Sequence, residues 1–198
     1  MTEEEKDLLE RFRAGDPQAF TLLVERYQDR LTGFFFRNCW DRHQAEDLVQ
    51  EVFIRMIKAA DRYVATGRLT TYVFKIARNL WIDRARKNRI RPGEASMDKP
   101  MTPDGDPQGA VIAGPGATPP ERIVAREEQE RLRRAWRQLP EGQRLVFELA
   151  VYQELPYREI SGLLEIPQGT VKSRMFHALR TLRTIREKEE ESPSRRRP

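Results

Sequence analysis

The sequence predicts an all-α protein: two small helical domains, an N-terminal helical bundle and a C-terminal helix-turn-helix, joined by a flexible Pro/Gly-rich linker. Three observations carry that prediction. Apolar residues recur at helical spacing on both sides of the middle of the chain, no segment alternates like a half-buried strand, and a long stretch between the halves is dense in proline and glycine. That stretch runs from Arg91 to Pro120 and holds Pro92, Pro100, Pro103, Pro107, Pro115, Pro119 and Pro120, with Gly93, Gly105, Gly109, Gly114 and Gly116 between them. Proline removes backbone donors and glycine raises the entropic cost of order, so neither helix nor sheet is expected there. The expected organisation is therefore 1–90, a linker over 91–120, a second domain over 121–186, and a disordered charged tail over 187–198.

In the N-terminal half, Asp16-Pro17 is a helix start, with Asp as the cap and Pro in the first position. Phe20, Leu23, Val24, Tyr27, Leu31 and Phe34 then fall on one face. A second helix carries Ala45, Leu48, Val49, Val52, Phe53, Met56, Ile57 and Ala60 inward. After a break near Thr66-Gly67, a third buries Val73, Ile76, Ala77 and Leu80. These make a bundle.

The C-terminal half opens with a charged helix over about Glu121 to Gln138, interrupted at Leu139-Pro140. A helix from Gln143 to Tyr152, a short one from Pro156 to Leu164, a turn through Glu165-Ile166-Pro167-Gln168-Gly169 and a last helix from Thr170 to about Arg186 follow. Two closing helices joined by a tight, Gly-containing turn suggest a helix-turn-helix.

Charge distribution narrows the function. The chain has 198 residues, a formal net charge of +5, 34% charged and 38% hydrophobic residues, and a pI of about 9.5. A basic balance favours a polyanionic partner. Between Ile166 and Arg186 lie Lys172, Arg174, Arg180, Arg183 and Arg186 with no acidic residue. At 100° per residue, Val171, Met175, Ala178, Leu179 and Leu182 form a buried arc. Ser173, Arg174, His177, Arg180 and Thr181 face out, with Lys172 and Phe176 at the flanks. Such a face suits base edges and phosphates in a major groove. Alone it would read as a solvated basic helix; behind a short helix and a tight turn it reads as DNA recognition.

A second basic run, Lys75, Arg78, Arg84, Arg86, Lys87, Arg89 and Arg91, is opposed only by Asp83 and accompanied by Tyr63, Tyr72, Phe74 and Trp81. Cations track phosphates and exposed aromatic faces stack on unpaired bases, although Phe74 and Trp81 taken singly are better explained as core. The second helix has the opposite sign, with Glu46, Asp47, Gln50 and Glu51 on its surface. An acidic surface repels DNA and is better suited to docking a protein. Two DNA-facing patches around a protein-facing one suggest a bridging subunit.

Other functions find little support. Cys39 is the only cysteine and His43 and His177 the only histidines, which excludes an intramolecular disulfide and disfavours a metal site; Cys39 is expected to be a small buried hydrophobe. No phosphate-binding glycine motif occurs, and no cofactor is expected. The start, Met1-Thr2-Glu3-Glu4-Glu5, is unlike a signal peptide, and no apolar run reaches membrane-spanning length, so a cytoplasmic protein without membrane insertion is expected.

These residues resemble a known family. Ala45-Glu46-Asp47-Leu48-Val49-Gln50-Glu51-Val52-Phe53 is similar to the core-binding helix of extracytoplasmic-function (ECF) sigma factors of the sigma-70 family. Thr71-Tyr72-Val73-Phe74-Lys75-Ile76-Ala77-Arg78-Asn79 is similar to their promoter-melting helix, where a Trp more often stands at the place of Tyr72. Leu139-Pro140, Tyr157-Arg158-Glu159-Ile160 and Ile166-Pro167-Gln168-Gly169-Thr170-Val171-Lys172-Ser173-Arg174 resemble region 4 of the family.

The resemblance implies that Asp47, Leu48, Gln50 and Glu51 contact the clamp helices of the largest subunit of core RNA polymerase. It implies that the loop Tyr63 to Thr71, with Arg68, Lys75, Arg78, Asn79 and Arg84, binds the −10 element and captures a flipped base, at a cost of a few kcal/mol of stacking and pairing. Thr170, Lys172, Ser173, Arg174, Phe176 and His177 would read the −35 element, and the linker would thread toward the active-site cleft. Promoter DNA and core polymerase are the implied partners, with an anti-sigma factor as a further one. Two features depart from the family pattern: His177 stands where Arg is common, and the linker is long. The competing readings are a conventional helix-turn-helix regulator, a sigma-mimicking protein that titrates an anti-sigma factor, and a nuclease using Asp47 and Glu51 as metal ligands.

Overall fold

A computed structural model describes residues 3–64, 67–90 and 118–191, and among these every regular element is helical. The chain divides into two units, Met1–Ala110 and Val111–Pro198.

In the first unit, α1 (Glu3–Arg13) precedes the helices expected from the sequence. Its apolar face is short, only Leu8, Leu9 and Phe12, and an acidic start conceals it. Leu9 is fully buried, and Phe12 meets Phe20 at 5.0 Å, which in turn meets Phe53 edge-on at 6.1 Å. Gly15 takes the left-handed φ of 97° at the turn into α2 (Pro17–Cys39). Asp16 caps α2 as expected: its Oδ1 accepts from the amides of Gln18 and Ala19 at 3.0 and 3.3 Å. Its Oδ2 accepts from Arg11 at 2.7 Å, and that guanidinium holds the carboxyl below the ordinary range.

A tight joint separates α2 from α3 (Arg42–Ala59). Trp40 turns left-handed at φ 57° and donates its amide to the Phe36 carbonyl at 2.7 Å; Asp41 then caps α3 through Gln44 N at 2.9 Å. A 3-10 turn over Ala60–Arg62 leads toward α4 (Leu69–Ile90). The core holds Leu23, Tyr27, Leu31, Phe34, Phe35, Val52, Met56, Val73, Phe74 and Ala77, all without solvent exposure. Phe34 packs edge-on against Phe74 at 5.6 Å, and the buried hydroxyls of Tyr27 and Thr70 pair at 3.0 Å. Phe74 and Trp81 are thus core. Ile57, expected inward, is 45% exposed, because it lies about 40° round the helix from Phe53, past the rim of the buried arc.

In the second unit, α5 runs Pro119–Gln138. It starts inside the stretch expected to be linker, since proline is tolerated where a helix begins and its missing N–H costs nothing. After Leu139-Pro140 come α6 (Glu141–Phe147) and a π turn over Glu148–Tyr152, closed by Gln153 N donating to the Glu148 carbonyl at 3.2 Å. The Glu148 carboxylate is fully buried and accepts from Gln153 Nε2 at 3.0 Å. Then α7 (Tyr157–Leu164) leads by a short turn into α8 (Gln168–Glu191).

The left-handed residue of that turn is Glu165, φ 57°, and not the glycine singled out from sequence; Gly169 lies in the first turn of α8. Ser161 offsets the strain: its carbonyl accepts the Ile166 amide at 3.1 Å while its hydroxyl donates to the Ile166 carbonyl at 2.6 Å. Helix α8 outlasts the expected end at Arg186, because Glu187 to Glu191 are good helix formers. The tail from 187 is therefore helical as far as 191. Residues 91–117 and 192–198, the rest of the expected linker and tail, lie outside the described residues.

Val171, Met175, Ala178 and Ile185 are the buried residues of α8, and Leu182 is half-buried. Leu179, expected inside, is 50% exposed. It projects about 80° from Val171, on the rim of the arc.

Trp136 is the centre of this unit's core: it is 1% exposed and meets Phe147 and Tyr152 edge-on at 5.8 and 6.3 Å. Trp136→Ala is expected to cost about 3–5 kcal/mol, read as a lowered urea midpoint. A destabilisation below about 1 kcal/mol would contradict this packing role.

Candidate polymerase and nucleic-acid interfaces

Three surfaces emerge from the way these helices bury their apolar arcs. On α3, Asp47 and Gln50 are exposed, and Glu51 is half-exposed with its carboxylate 2.8 Å from Arg55 Nε. Arg55 also approaches Asp83 of α4 at 3.9 Å, and Glu46 is paired with Arg42 at 2.8 Å. The face is acidic, but two of its carboxylates carry internal arginine partners. An arginine on Glu51 is also ill-suited to a metal-ligand role, and among the described residues no cluster of three His, Cys, Asp or Glu could hold a metal ion.

Leu48 does not belong to this surface. At 3% exposure it is a core residue and holds α3 in place. Ile54 and Ile57, 43% and 45% exposed, take its place as apolar members. Sequence reading missed both. The signal was present as i, i+3, i+7, i+10 spacing from Asp47 through Gln50 to Ile54 and Ile57, which keeps all four on one side of the helix.

On α4, Lys75 and Asn79 are exposed and Arg78 is half-exposed, with its Nη1 donating to Asn79 Oδ1 at 3.1 Å. Arg86 is exposed on the same side, two turns on, and Arg68 is half-exposed just before the helix. Arg84 is set apart. It lies about 180° from Lys75, its Nε is buried, and its charge is felt at Cys39 near the end of α2. It therefore lies apart from the row of Lys75, Asn79 and Arg86, on the opposite side of α4. Of the four aromatics considered for stacking, Tyr63, Phe74 and Trp81 are buried and only Tyr72 is part-exposed. Tyr63 and Tyr72 stand 4.7 Å apart, and burial raises both phenol pKa values.

Cys39 is half-buried, with its thiol donating to the Asp41 carbonyl at 3.1 Å. Burial pushes its pKa up to about 11, the opposite of what a reactive thiolate needs.

On α8, Lys172, Ser173 and His177 are exposed, Phe176 is 63% exposed, and Thr170 is partly covered. Arg174 differs from expectation. It is half-buried, and its guanidinium lies against Gly142 of α6, where an added Cβ would come within 2.9 Å of Nη1 and 3.0 Å of Cζ. Behind this row the short α7 and its tight turn form the expected helix-turn-helix. No described helix is long and apolar enough to cross a membrane.

Comparison with known proteins agrees with this layout. The family model described as Sigma-70 region 2 matches residues 23–90, and that described as Sigma-70, region 4 matches residues 129–182. The chain is 32% identical over 181 residues to the RNA polymerase sigma-H factor of Pseudomonas aeruginosa, covering 89% of this chain and 90% of that protein. It is 31% identical to the ECF RNA polymerase sigma factor SigW of Bacillus subtilis, with 90% and 94% covered, and 31% identical to the ECF sigma-E factor of Escherichia coli K12, with 86% and 88% covered. The fold is shared with CnrH, solved in complex with the cytosolic domain of CnrY, at a TM-score of 0.69 and 18% identity over 93% of this chain and 98% of that one. It is also shared with RpoE of Bartonella quintana, solved with the anti-sigma factor NepR, at a TM-score of 0.62 and 21% identity over 85% and 96%. Both sigma-70 regions are present in order and both carry the surfaces built above, so the chain belongs to the ECF sigma factors, which direct promoter-specific initiation of transcription by RNA polymerase.

Proposed function

We propose that this sigma factor bridges core RNA polymerase and promoter DNA through the three surfaces of α3, α4 and α8, and that it works in the cytoplasm, where both partners reside. The observation that carries this reading is the row Lys172, Ser173, Phe176 and His177, held outward on a helix whose opposite side is core. Asp47, Gln50 and Glu51, with Ile54 and Ile57, dock on the clamp helices of the largest subunit. Lys75, Arg78 and Asn79, with Arg68 and Tyr72, bind the displaced strand of the −10 element. Thr170, Lys172, Ser173, Arg174, Phe176 and His177 read the −35 element. The two structural neighbours were solved with CnrY and with the anti-sigma factor NepR, which supports an inhibitory protein partner for this chain too.

An Asp47→Ala/Gln50→Ala/Glu51→Ala triple variant is expected to lower core-polymerase affinity by about tenfold or more. Its stability should change by no more than about 0.5 kcal/mol per exposed site. Normal binding in a pull-down titration with core enzyme would remove α3 from the interface.

Changing Lys75 and Asn79 to alanine should spare the closed promoter complex and impair strand opening. Permanganate reactivity of unpaired thymines measures this directly, and wild-type opening would place the single-strand site elsewhere.

On α8, Arg174→Ala should flatten the preference at one or two −35 positions, at about 1–3 kcal/mol for each base-edge interaction removed. Arg183→Ala should weaken all sequences alike, and His177→Arg should shift the preference toward guanine. Gly142→Ala should reproduce the Arg174→Ala profile in part, because the new methyl displaces a flexible guanidinium and leaves the fold intact. A randomised −35 library transcribed by each holoenzyme reads all four. An unchanged profile for Arg174→Ala, or a sequence-specific change from Arg183→Ala, would reverse the assigned orientation of α8.

A further inference from the structure

Helix α1 has had no part in function so far, yet it touches the segment that leads into α4. Its rotation is fixed by Leu8 and Leu9, both buried, and by the Phe12–Phe20 ring pair. Glu10 and Arg13, three residues apart, share another side of the helix. The helix packs on the 3-10 turn Ala60–Arg62, and Arg13 Nη1 donates to the main-chain carbonyl of Tyr63 at 3.2 Å. At Tyr63 the chain leaves that turn in extended conformation, with φ −68° and ψ 130°. A carbonyl at such an exit needs a donor from outside the turn, and Arg13 supplies it.

The Tyr63 ring passes this constraint on. It is 5% exposed and lies 4.7 Å from the ring of Tyr72, tilted by 56°. Burial raises its phenol pKa and the charge of Glu10 adds to the shift, so α1 bears on the phenol as well as on the main chain. On the other side of the segment, Leu69 is 1% exposed and Thr70 pairs with Tyr27 at 3.0 Å, which fixes the start of α4. Tyr72 is therefore set by its own helix and by Tyr63 beside it, while the rest of its ring is part-exposed. An aromatic face held at a fixed angle is a pre-organised platform for an unpaired base.

We propose that α1 takes part in promoter opening: Arg13 is a positioning residue that holds Tyr63 and, through it, the exposed face of Tyr72 on which an unpaired −10 base stacks. This rests on the reading of α4 as the single-strand surface. Arg13 acts from behind the aromatic pair and does not itself touch the strand.

Holoenzymes carrying Arg13→Ala, Arg13→Lys, Tyr72→Ala and Lys75→Ala/Asn79→Ala test this by permanganate reactivity, with closed-complex affinity measured across a salt series. Arg13→Ala should lower opening by up to about tenfold, the scale of one charge-assisted hydrogen bond. Closed-complex affinity and its salt slope should stay unchanged, and Arg13→Lys should restore most of the opening. Arg13→Ala and Tyr72→Ala should be non-additive, because both act through the same ring. Templates with a single abasic site, placed in turn at each non-template −10 position, supply the decisive arm. At the captured base, the abasic site should abolish the difference between wild type and Arg13→Ala, since nothing remains to stack. An equal loss on every template, the abasic ones included, would reduce Arg13 to a structural residue and overturn the proposal. A lower salt slope that persists on abasic templates would place Arg13 on a phosphate, which overturns it too. Wild-type opening by Arg13→Ala beside impaired opening by Lys75→Ala/Asn79→Ala would sink the role of α1 and leave α4 in place. If Lys75→Ala/Asn79→Ala opens normally as well, the reading of α4 itself fails and the inference falls with it.

Discussion

The edge-on contact between Phe34 of α2 and Phe74 of α4, 5.6 Å between ring centres, decides which side of α4 can meet a partner. An aromatic pair of this kind adds about 0.5–1.5 kcal/mol beyond its area, and here it acts with the buried Tyr27–Thr70 hydrogen bond one turn earlier. Two fixed points on one helix leave it no freedom to rotate about its axis. Lys75, one residue after Phe74, must then project outward, and so must Asn79 four residues later. The same constraint carries Arg84 round to the opposite side, where its stem is covered and its charge reaches toward Cys39. A run of basic residues in sequence is therefore not one patch in space.

The same logic governs α8, with a different anchor. Val171, Met175, Ala178 and Ile185 set its rotation, and the turn before it sets its direction. That turn places Glu165 in the left-handed region, a conformation that costs a non-glycine residue about 1 kcal/mol or more. Two hydrogen bonds between Ser161 and Ile166 hold the strained geometry. The angle between α7 and α8 is thus maintained by these short-range pairings, and the exposed Lys172, Ser173 and His177 inherit a fixed direction from it.

Much of this was legible in the sequence, and the exceptions share a cause. Helical periodicity located α2, α3, α4 and α8 because each has a long apolar arc, while the break at Leu139-Pro140 and the turn over 165–169 bounded α5, α6 and α7. It missed α1, whose arc is three residues, and it placed Pro119 and Pro120 in the linker because composition does not distinguish a helix-starting proline from a helix-breaking one. Periodicity assigns a residue to an arc but not the width of arc that neighbours cover, so Ile57 and Leu179 were drawn inward by one position too many. Leu48 and Arg84 show the converse limit. Leu48 sits within a motif and Arg84 within a basic run whose neighbours face solvent, and residues read as a string of letters are not separated into the two sides of their helix. Gly142 could not have been singled out at all, since its relation to Arg174 exists only once α6 packs on α8.

The make-up of the α3 face bears on how it would bind. Glu46 and Glu51 already hold Arg42 and Arg55 at 2.8 Å, so a partner cation must compete with an existing pair to engage them. Asp47 has no ion pair among the described residues and is the carboxylate most available to a new one. Full burial of an isoleucine side chain stabilises by about 1.5–3 kcal/mol, and Ile54 and Ile57 retain a little under half of their surface to bury, so each offers about 1 kcal/mol on docking. A desolvated charge breaks even only when well paired. Affinity at this surface is then expected to come chiefly from the two isoleucines, while Asp47 and Gln50 select the partner and set its register. On the proposed reading, one available carboxylate beside an apolar strip favours a partner with a basic, amphipathic surface over the uniformly anionic surface of DNA.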